Sequence, residues 1–366
     1  MNLGLVEKIA NAVLYEGYIL YPYRASAVKN QQRWNFGALY PRAFSMAQGQ
    51  PAEGVDACAM RTECLVIAGP GATLDVRVRF LHLVAREVCE MIGPSRGLRE
   101  AGPLESDLRE GEHYRAVAML EVGGRIFQTW QEAVERDIVI PKVELTELMG
   151  RASERAFAFP DSKEVEPLRD PGGGLAGVIV RRQRAIEGSV EISAERAGDQ
   201  VFKVSVHVSN PTPVSGESLR SRDEALMRSL VSTHTILSVR GGEFVSLLEP
   251  PEALRGLAGS CRNSGTWPVL VGEAGERDCV LSSPIILYDY PQIAPESAGE
   301  LFDSTEIDEI LTLRILTLTD EEKREMRGVD ERARRLLERT ESLPPEQLMR
   351  LHGTMRSPRA SGEDER

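Results

Sequence analysis

The sequence is poor in the features that mark many metal-binding, membrane and secreted proteins. Its 366 residues include only five cysteines and five histidines, and aromatic residues make up 5% of the chain. No apolar run approaches the roughly 18 residues of a membrane-spanning helix. The opening residues also lack the basic and apolar regions of a secretory signal. We therefore expect a cytoplasmic protein with no membrane span.

The cysteines follow no standard pattern for metal ligands or disulfides. Five residues separate Cys58 from Cys64, and six separate His82 from Cys89, whereas standard zinc and iron-sulfur sites use shorter spacings such as Cys-x2-Cys. An odd number of cysteines without a secretory signal favours reduced thiols. We predict no metal and no cofactor, while a metal site assembled from distant segments stays an open alternative.

Motifs for nucleophilic catalysis and nucleotide binding are missing too. There is no Gly-x-Ser-x-Gly motif, and His207 and His234 lie on strand-like segments where a structural role is favoured. The glycine-rich runs 69–71 and 172–174 are not followed by Lys-Ser or Lys-Thr and do not fit Gly-x-Gly-x-x-Gly. No catalytic residue is predicted.

The first part of the chain carries an aromatic, basic segment at residues 12–44, called the arm below. It holds five of the eight tyrosines. It could stack on nucleic acid, bind a protein partner or pack on its own domain. The formal net charge of -12 opposes nucleic-acid binding. The residues predicted for partner binding or docking are Tyr18, Tyr21, Tyr23, Arg24, Arg33 and Trp34.

A second region is acidic throughout. No Lys or Arg occurs between Arg277 and Arg314. The acidic ribbon is defined by Asp289, Glu296, Glu300, Asp303, Glu306, Asp308 and Glu309. An acidic run is most often a solvated face, and acids at a helix start also interact favourably with the helix dipole. The opposite charges of arm and ribbon suggest the hypothesis that the two dock on each other.

Hydrophobic periodicity predicts an α+β fold. Residues 74–82 alternate with a period of two, which is typical of a strand with one buried face. Gly123-Gly124 predicts a tight hairpin turn, Gly241-Gly242 predicts another turn, and the Pro- and Gly-rich residues 160–177 predict a loop or linker. Thr305 with Asp308, and Thr319 with Glu322, have the spacing of capping boxes at helix starts.

These elements predict a mostly antiparallel β N-terminal domain, a mixed second domain and a C-terminal helical appendage. The boundaries we predict are residues 1–55 for the region of the aromatic basic arm, 56–215 for the antiparallel β domain, 216–300 for the mixed α+β domain, 301–355 for the helical appendage and 356–366 for a disordered tail.

Two segments carry a resemblance. Residues 11–44, from NAVLYEGYILYPYR to NFGALYPRAF, and residues 281–327, from LSSPIILYDYPQ to LTDEEKREMR, resemble uncharacterised proteins encoded beside bacterial uptake NiFe hydrogenases. The two segments cover roughly a fifth of the chain. The resemblance implies an accessory role in hydrogenase assembly, maturation or complex formation. It transfers no catalytic residue.

We therefore expect a non-enzymatic accessory or assembly protein that binds another protein, such as a NiFe-hydrogenase subunit or maturation factor. The alternative is an enzyme that acts on a small molecule in an inter-domain cleft lined by tyrosines, including Tyr288 and Tyr290 beside Asp289.

Overall fold

The computed structural model of the chain describes residues 3–20, 23, 24, 27, 30, 37–49, 56–92, 108–292 and 308–351. It confirms the α+β class, because a large antiparallel sheet is combined with an N-terminal helix and a group of C-terminal helices. The strands are β1 Ala59–Met91, β2 Tyr114–Val117, β3 Met119–Val122, β4 Arg125–Gln128, β5 Trp130–Glu144, β6 Ser153–Phe159, β7 Ser162–Arg169, β8 Leu175–Gln183, β9 Ile186–Gly198, β10 Val201–Ser209, β11 Val231–Val245, β12 Trp267–Leu270 and β13 Cys279–Ser283.

Strand β1 is the axis of the sheet. It is 33 residues long and pairs antiparallel with five other strands. Along one edge β1 contacts β10, then β5, then β2; along the other edge it contacts β11 and then β8. Strands β13 and β12 extend the sheet beyond β11, while β9 and β6 extend it beyond β10. Because its neighbours change along its length, β1 joins almost every part of the sheet.

The predicted alternation in residues 74–82 is confirmed. Leu74, Val78 and Phe80 belong to the main core cluster on one face of β1. Leu81 and Leu83 point to the opposite face and belong to a second cluster, formed with the arm and the C-terminal helices. Both faces of this stretch are therefore covered, which explains why apolar residues also occupy positions that simple alternation would assign to solvent.

The predicted turn at Gly123-Gly124 is also confirmed. It connects β3 to β4, and Val122 lies opposite Arg125 in the hairpin. The two glycines have φ angles of 59° and 78°. Two consecutive residues with positive φ make the type I′ turn that two-residue hairpins favour, and glycine adopts it without a steric penalty.

The loop or linker predicted at residues 160–177 is wrong for most of its length. Strand β7, Ser162–Arg169, and the start of β8 occupy most of this segment and pair with each other. Pro167 of β7 lies opposite Val178 of β8. Among the described strands, β7 pairs only with β8. An edge strand tolerates proline because one of its sides has no hydrogen bonds to make. Gly172 to Gly174 form only the tight connection.

The turn predicted at Gly241-Gly242 is wrong as well. Strand β11 runs continuously through both glycines. Its register with β1 shifts there, from Thr73 opposite Arg240 to Ala68 opposite Gly242. Gly241 has a φ angle of 77°. The glycines therefore allow an irregularity in a continuous strand pair, as glycines in strands often do, without reversing the chain.

The helices lie mainly at the two ends of the chain. They are α1 Leu3–Tyr15, α2 Arg42–Ala47, α3 Leu145–Leu148, α4 Arg222–Leu226, α5 Arg255–Ala258, α6 Asp308–Leu316, α7 Asp320–Val329, α8 Glu331–Glu341 and α9 Pro345–Leu351, with short 3-10 turns at Gly216–Leu219 and Glu252–Leu254. The capping box of Thr319 and Glu322 is confirmed at the start of α7. Asp330 caps α8 by accepting a hydrogen bond from Ala333 N. Thr305 lies outside the described residues.

Helix α1 covers one side of the sheet. Its apolar face, with Val6, Ile9 and Val13, packs against residues of β11, β12 and β13. Strands from residues 216–300 thus belong to the same sheet as those from residues 56–215, while the division into domains stays a prediction. No helix in the described ranges is long and apolar enough to span a membrane.

Candidate functional site

The described part of the arm packs inside the chain. Tyr18 is 2% exposed and Tyr23 is fully buried. Both belong to the cluster that β1 shares with the C-terminal helices, whose contributions include Leu311, Ile315, Met326, Val329 and Leu336. Tyr23 has a φ of 56°, a strained conformation for a bulky residue that surrounding packing must hold. The described part of the arm and α6–α8 therefore share one core cluster.

Arg24 connects the arm to helix α7. Its Nη1 lies 3.2 Å from Glu322 Oε1. Glu322 lies beyond the acidic ribbon in the sequence, so this contact is not the one that the docking hypothesis specified. Tyr21, Arg33 and Trp34 lie outside the described residues, and the proposed partner-binding role of the arm stays a prediction.

Asn30 organises the described part of the arm, although the sequence did not single it out. Its Nδ2 donates to Leu20 O at 2.8 Å and to Arg24 O at 3.0 Å, while its Oδ1 accepts from Leu20 N at 2.8 Å. One buried amide thus links residue 30 to residues 20 and 24. A lone asparagine between polar residues has no spacing that would reveal this role.

Tyr15 forms a second polar junction between the arm, the sheet and α8. Its hydroxyl donates to Glu135 Oε1 at 2.5 Å, and the Arg332 guanidinium lies 3.7 Å from the centre of its ring. Burial, followed by the hydrogen bond to Glu135, raises the pKa of Tyr15 well above its usual value. The phenol is therefore neutral and can donate to the carboxylate.

The acidic ribbon is described only at its two ends. Asp289 holds its segment against two others, an interaction called the Asp289 clasp below. Its Oδ1 accepts a hydrogen bond from Leu270 N at 2.8 Å, and its Oδ2 accepts one from Ser246 Oγ at 2.5 Å. Helix α6 begins at Asp308, and Glu309 lies in its first turn. Glu296, Glu300, Asp303 and Glu306 lie outside the described residues. Docking between arm and ribbon therefore stays a prediction.

The described tyrosines do not line a common cleft. Tyr18 and Tyr23 are buried, whereas Tyr288 is 85% exposed. All five cysteines are free thiols, and burial raises the pKa of Cys89 and Cys261 to about 11. Among the described residues, no group of three or more His, Cys, Asp or Glu side chains is arranged to hold a metal ion.

An exposed apolar surface lies beside strand β12. Trp267 is 44% exposed, Ile286 72% and Tyr288 85%; these three residues are called the aromatic edge. Trp267 lies opposite Ser283 in the sheet, and Tyr290 N donates to Leu270 O at 2.7 Å. Residues 284–290 therefore return along β12, so that all three side chains lie near the same edge of the sheet.

The segment that carries the aromatic edge is held at both ends. Ser283 Oγ donates to Ile285 O at 2.9 Å, and Asp289 forms the clasp described above. Between these points Ile285 and Leu287 pack against the cluster that α1 forms with β11, β12 and β13, whereas Ile286 and Tyr288 point outward. The outward side chains are therefore presented by an anchored backbone.

A half-open cleft of about 430 Å³ lies between the sheet, the β3–β4 hairpin and helices α7 and α8. Strands β1 and β8 supply Arg86 and Arg181, and the hairpin supplies Arg125. The helices supply Arg324, Arg327 and Arg334. Four carboxylates also line it, namely Glu132, Glu166, Asp330 and Glu331. This arginine cleft is cationic by comparison with the acidic chain as a whole.

Arg86 forms the buried floor of the arginine cleft. Its side chain donates to the carbonyl of Val329, the last residue of α7. A cation at a helix C-terminus is stabilised by the helix dipole. Burial is the main influence on Arg86 and lowers its pKa. Its Nε lies 3.4 Å from Glu132 Oε1, but makes no hydrogen bond within the described part of the chain.

Nothing in the linear sequence brings these arginines together. They come from β1, β4, β8, α7 and α8, and each alone resembles an ordinary surface arginine. Arg86 is no exception, because it follows the apolar residues Leu83 to Ala85 but stands directly beside another charged residue, Glu87. No protein-family model matches this sequence, and no match is found among curated proteins.

Proposed function

We propose that this chain is a non-enzymatic, cytoplasmic accessory or assembly protein that binds another protein through the aromatic edge. The first partner to test is a NiFe-hydrogenase subunit or maturation factor. The observation that supports protein binding is the exposure of Trp267, Ile286 and Tyr288 on an anchored segment. The hydrogenase partner rests on the resemblance of residues 11–44 and 281–327, and the second of these segments contains Ile286 and Tyr288.

The chemistry of the aromatic edge suits protein recognition. Tryptophan and tyrosine are the residue types that most often dominate interface energies. Anchoring at Ser283 and Asp289 reduces the conformational entropy that binding would remove. Pro268 lacks an N–H group, and residues 289 and 290 already bond to Leu270. Recognition at this edge therefore depends on side chains more than on added strand pairing.

The test compares the wild-type chain with the triple variant W267S/I286S/Y288S in binding to the purified hydrogenase large subunit, measured by biolayer interferometry. We expect the triple variant to weaken binding tenfold or more, because two aromatic anchors and one aliphatic contact are lost. The matched control replaces three other exposed apolar residues, Met46, Met119 and Met149, with serine. It should bind like the wild type.

Two outcomes separate the parts of this proposal. If the wild-type chain does not bind the large subunit, the large subunit is refuted as the partner. A photo-crosslinking residue placed at position 288 then tests protein binding itself in native cells. If position 288 forms no protein adduct, or forms the same adducts as the control position 149, protein binding at the aromatic edge is refuted.

A further inference from the structure

The arginine cleft contains guanidinium groups whose hydrogen-bonding capacity the protein does not use up. Arg181 is well matched, because it donates to Glu132 at 2.8 Å and to Glu166 at 2.6 Å. Arg327 pairs with Glu341 at 3.0 Å, and Arg334 pairs with Glu331. Arg181 thus links β8 to β5 and β7, Arg327 links α7 to α8, and the ion pair of Arg334 lies within α8.

The other three arginines are different. Arg324 donates to the backbone carbonyl of Asp320 at 3.3 Å, and Arg125 lies over the ring of Phe127 at 5.3 Å. Neither has a carboxylate partner within the described part of the chain. Arg86 is only 5% exposed, and its Nε lies 3.4 Å from Glu132 Oε1 without making a hydrogen bond there. A buried donor without a hydrogen bond costs free energy that an anionic ligand would recover.

The placement of these three arginines points to a particular shape of anion. Arg86 comes from β1, Arg125 from the β3–β4 hairpin and Arg324 from α7, so three separate elements supply guanidinium groups to one cleft. One guanidinium fork is enough for a planar carboxylate. A phosphate group presents three oxygens in different directions, and therefore makes better use of three separate forks.

The remaining lining indicates what the phosphate is attached to. Ile126, Phe127 and Ile179 add apolar surface to the same cleft. A volume of about 430 Å³ is within the range of about 300 to 1,000 Å³ typical of small-molecule sites. Inorganic phosphate would leave this apolar surface exposed, whereas an organic phosphate would cover it.

We propose that the arginine cleft binds a phosphate monoester with a small apolar organic group, held by Arg86, Arg125 and Arg324. Ile126, Phe127 and Ile179 contact the organic group. This site is separate from the aromatic edge and does not depend on the proposed protein-binding function.

Isothermal titration calorimetry with phenyl phosphate tests the site in the full chain. The wild type should bind one equivalent saturably, inorganic phosphate should bind at least tenfold more weakly, and phenol should give no saturable binding. The decisive variant is R125Q/R324Q, because both side chains are exposed and neither pairs with a described carboxylate. It should fold normally and bind phenyl phosphate at least tenfold more weakly, since two charge-assisted contacts are lost.

A matched control removes the same charge elsewhere. Arg151 and Arg155 are exposed and lie outside the cleft, so R151Q/R155Q should bind phenyl phosphate like the wild type. Absence of saturable binding by the wild type would overturn the proposal. An equal loss of affinity in both double variants would also overturn it, because it would show unspecific attraction of the anion. Unchanged affinity of R125Q/R324Q would overturn it as well. If inorganic phosphate binds as tightly as phenyl phosphate, the proposed contact with an apolar organic group is refuted.

Discussion

Two histidines in the sheet are held in their neutral form by burial. His82 Nε2 lies 2.8 Å from the carbonyl of Arg184, and His234 Nδ1 lies 3.0 Å from the carbonyl of Ser232. A carbonyl only accepts, so each of these nitrogens carries the proton. Burial lowers the pKa of each histidine to about 4. For His82, the nearby Arg136 guanidinium adds to this effect.

This burial predicts a specific loss of stability in acid. In the unfolded chain a histidine has a pKa of about 6.5, so between roughly pH 6.5 and pH 4 the unfolded state binds more protons than the folded state. The free energy of unfolding should therefore fall as the pH drops through this window, by up to about 3 kcal/mol for each histidine. Urea denaturation at pH 7, 5.5 and 4 measures the effect. H234Q should show a shallower decline than the wild type, and an identical decline would contradict the prediction.

At the scale of elements, the arm is attached to α6–α8 mainly through buried rings. Tyr15 and Tyr18 pack edge to face, with ring centres 5.4 Å apart, and Tyr18 is almost completely enclosed. Within the described part of the chain Arg24 forms an ion pair with Glu322, and both side chains are about 30% exposed. Partly exposed ion pairs contribute about 0 to 1 kcal/mol. Apolar burial should therefore dominate this attachment.

We expect Tyr18→Ala to lower the free energy of unfolding by about 3 to 5 kcal/mol, as for other large aromatic truncations in cores. Arg24→Ala should lower it by less than about 1 kcal/mol. Urea denaturation of both variants, followed by circular dichroism, tests the comparison. A loss for Arg24→Ala equal to that for Tyr18→Ala would show that charge, and not packing, attaches the arm.

The elements differ in how far the sequence predicts them. Local signals were sufficient for the alternation in β1, the glycine turn of the β3–β4 hairpin and the capping box at Thr319. They failed at β7, where Pro167 is tolerated only because the strand lies at an edge, and at Gly241-Gly242, where pairing with β1 keeps the strand continuous. The arginine cleft was not predictable, because Arg86, Arg181 and Arg324 meet only after long-range folding.

At the scale of the whole molecule, β1 contributes residues to most of the core clusters. Residues 65–67 lie between β10 and β11, and residues 76–79 lie between β11 and β5. The C-terminal helices instead cover one face of the sheet. Opening β1 requires the loss of strand pairing on both edges, whereas α8 can separate by losing one packed face.

This difference predicts a gradient of hydrogen-exchange protection. Peptides that cover residues 65–67 and 76–79 should exchange at least tenfold more slowly than peptides from α8, measured by mass spectrometry at neutral pH. The peptides of α8 serve as the internal comparison. Exchange of α8 as slow as that of the two β1 regions would show that helices and sheet open together as one unit.

The central position of β1 also has a consequence for synthesis of the chain. Each strand that pairs with β1 follows it in the sequence, and the last of them, β11, ends at Val245, more than 150 residues after β1 ends at Met91. A ribosome that has completed β1 therefore holds a long apolar strand with open edges, which invites association with other chains. The fold can close only when most of the protein has emerged, and the C-terminal helices that cover Leu81 and Leu83 arrive last of all.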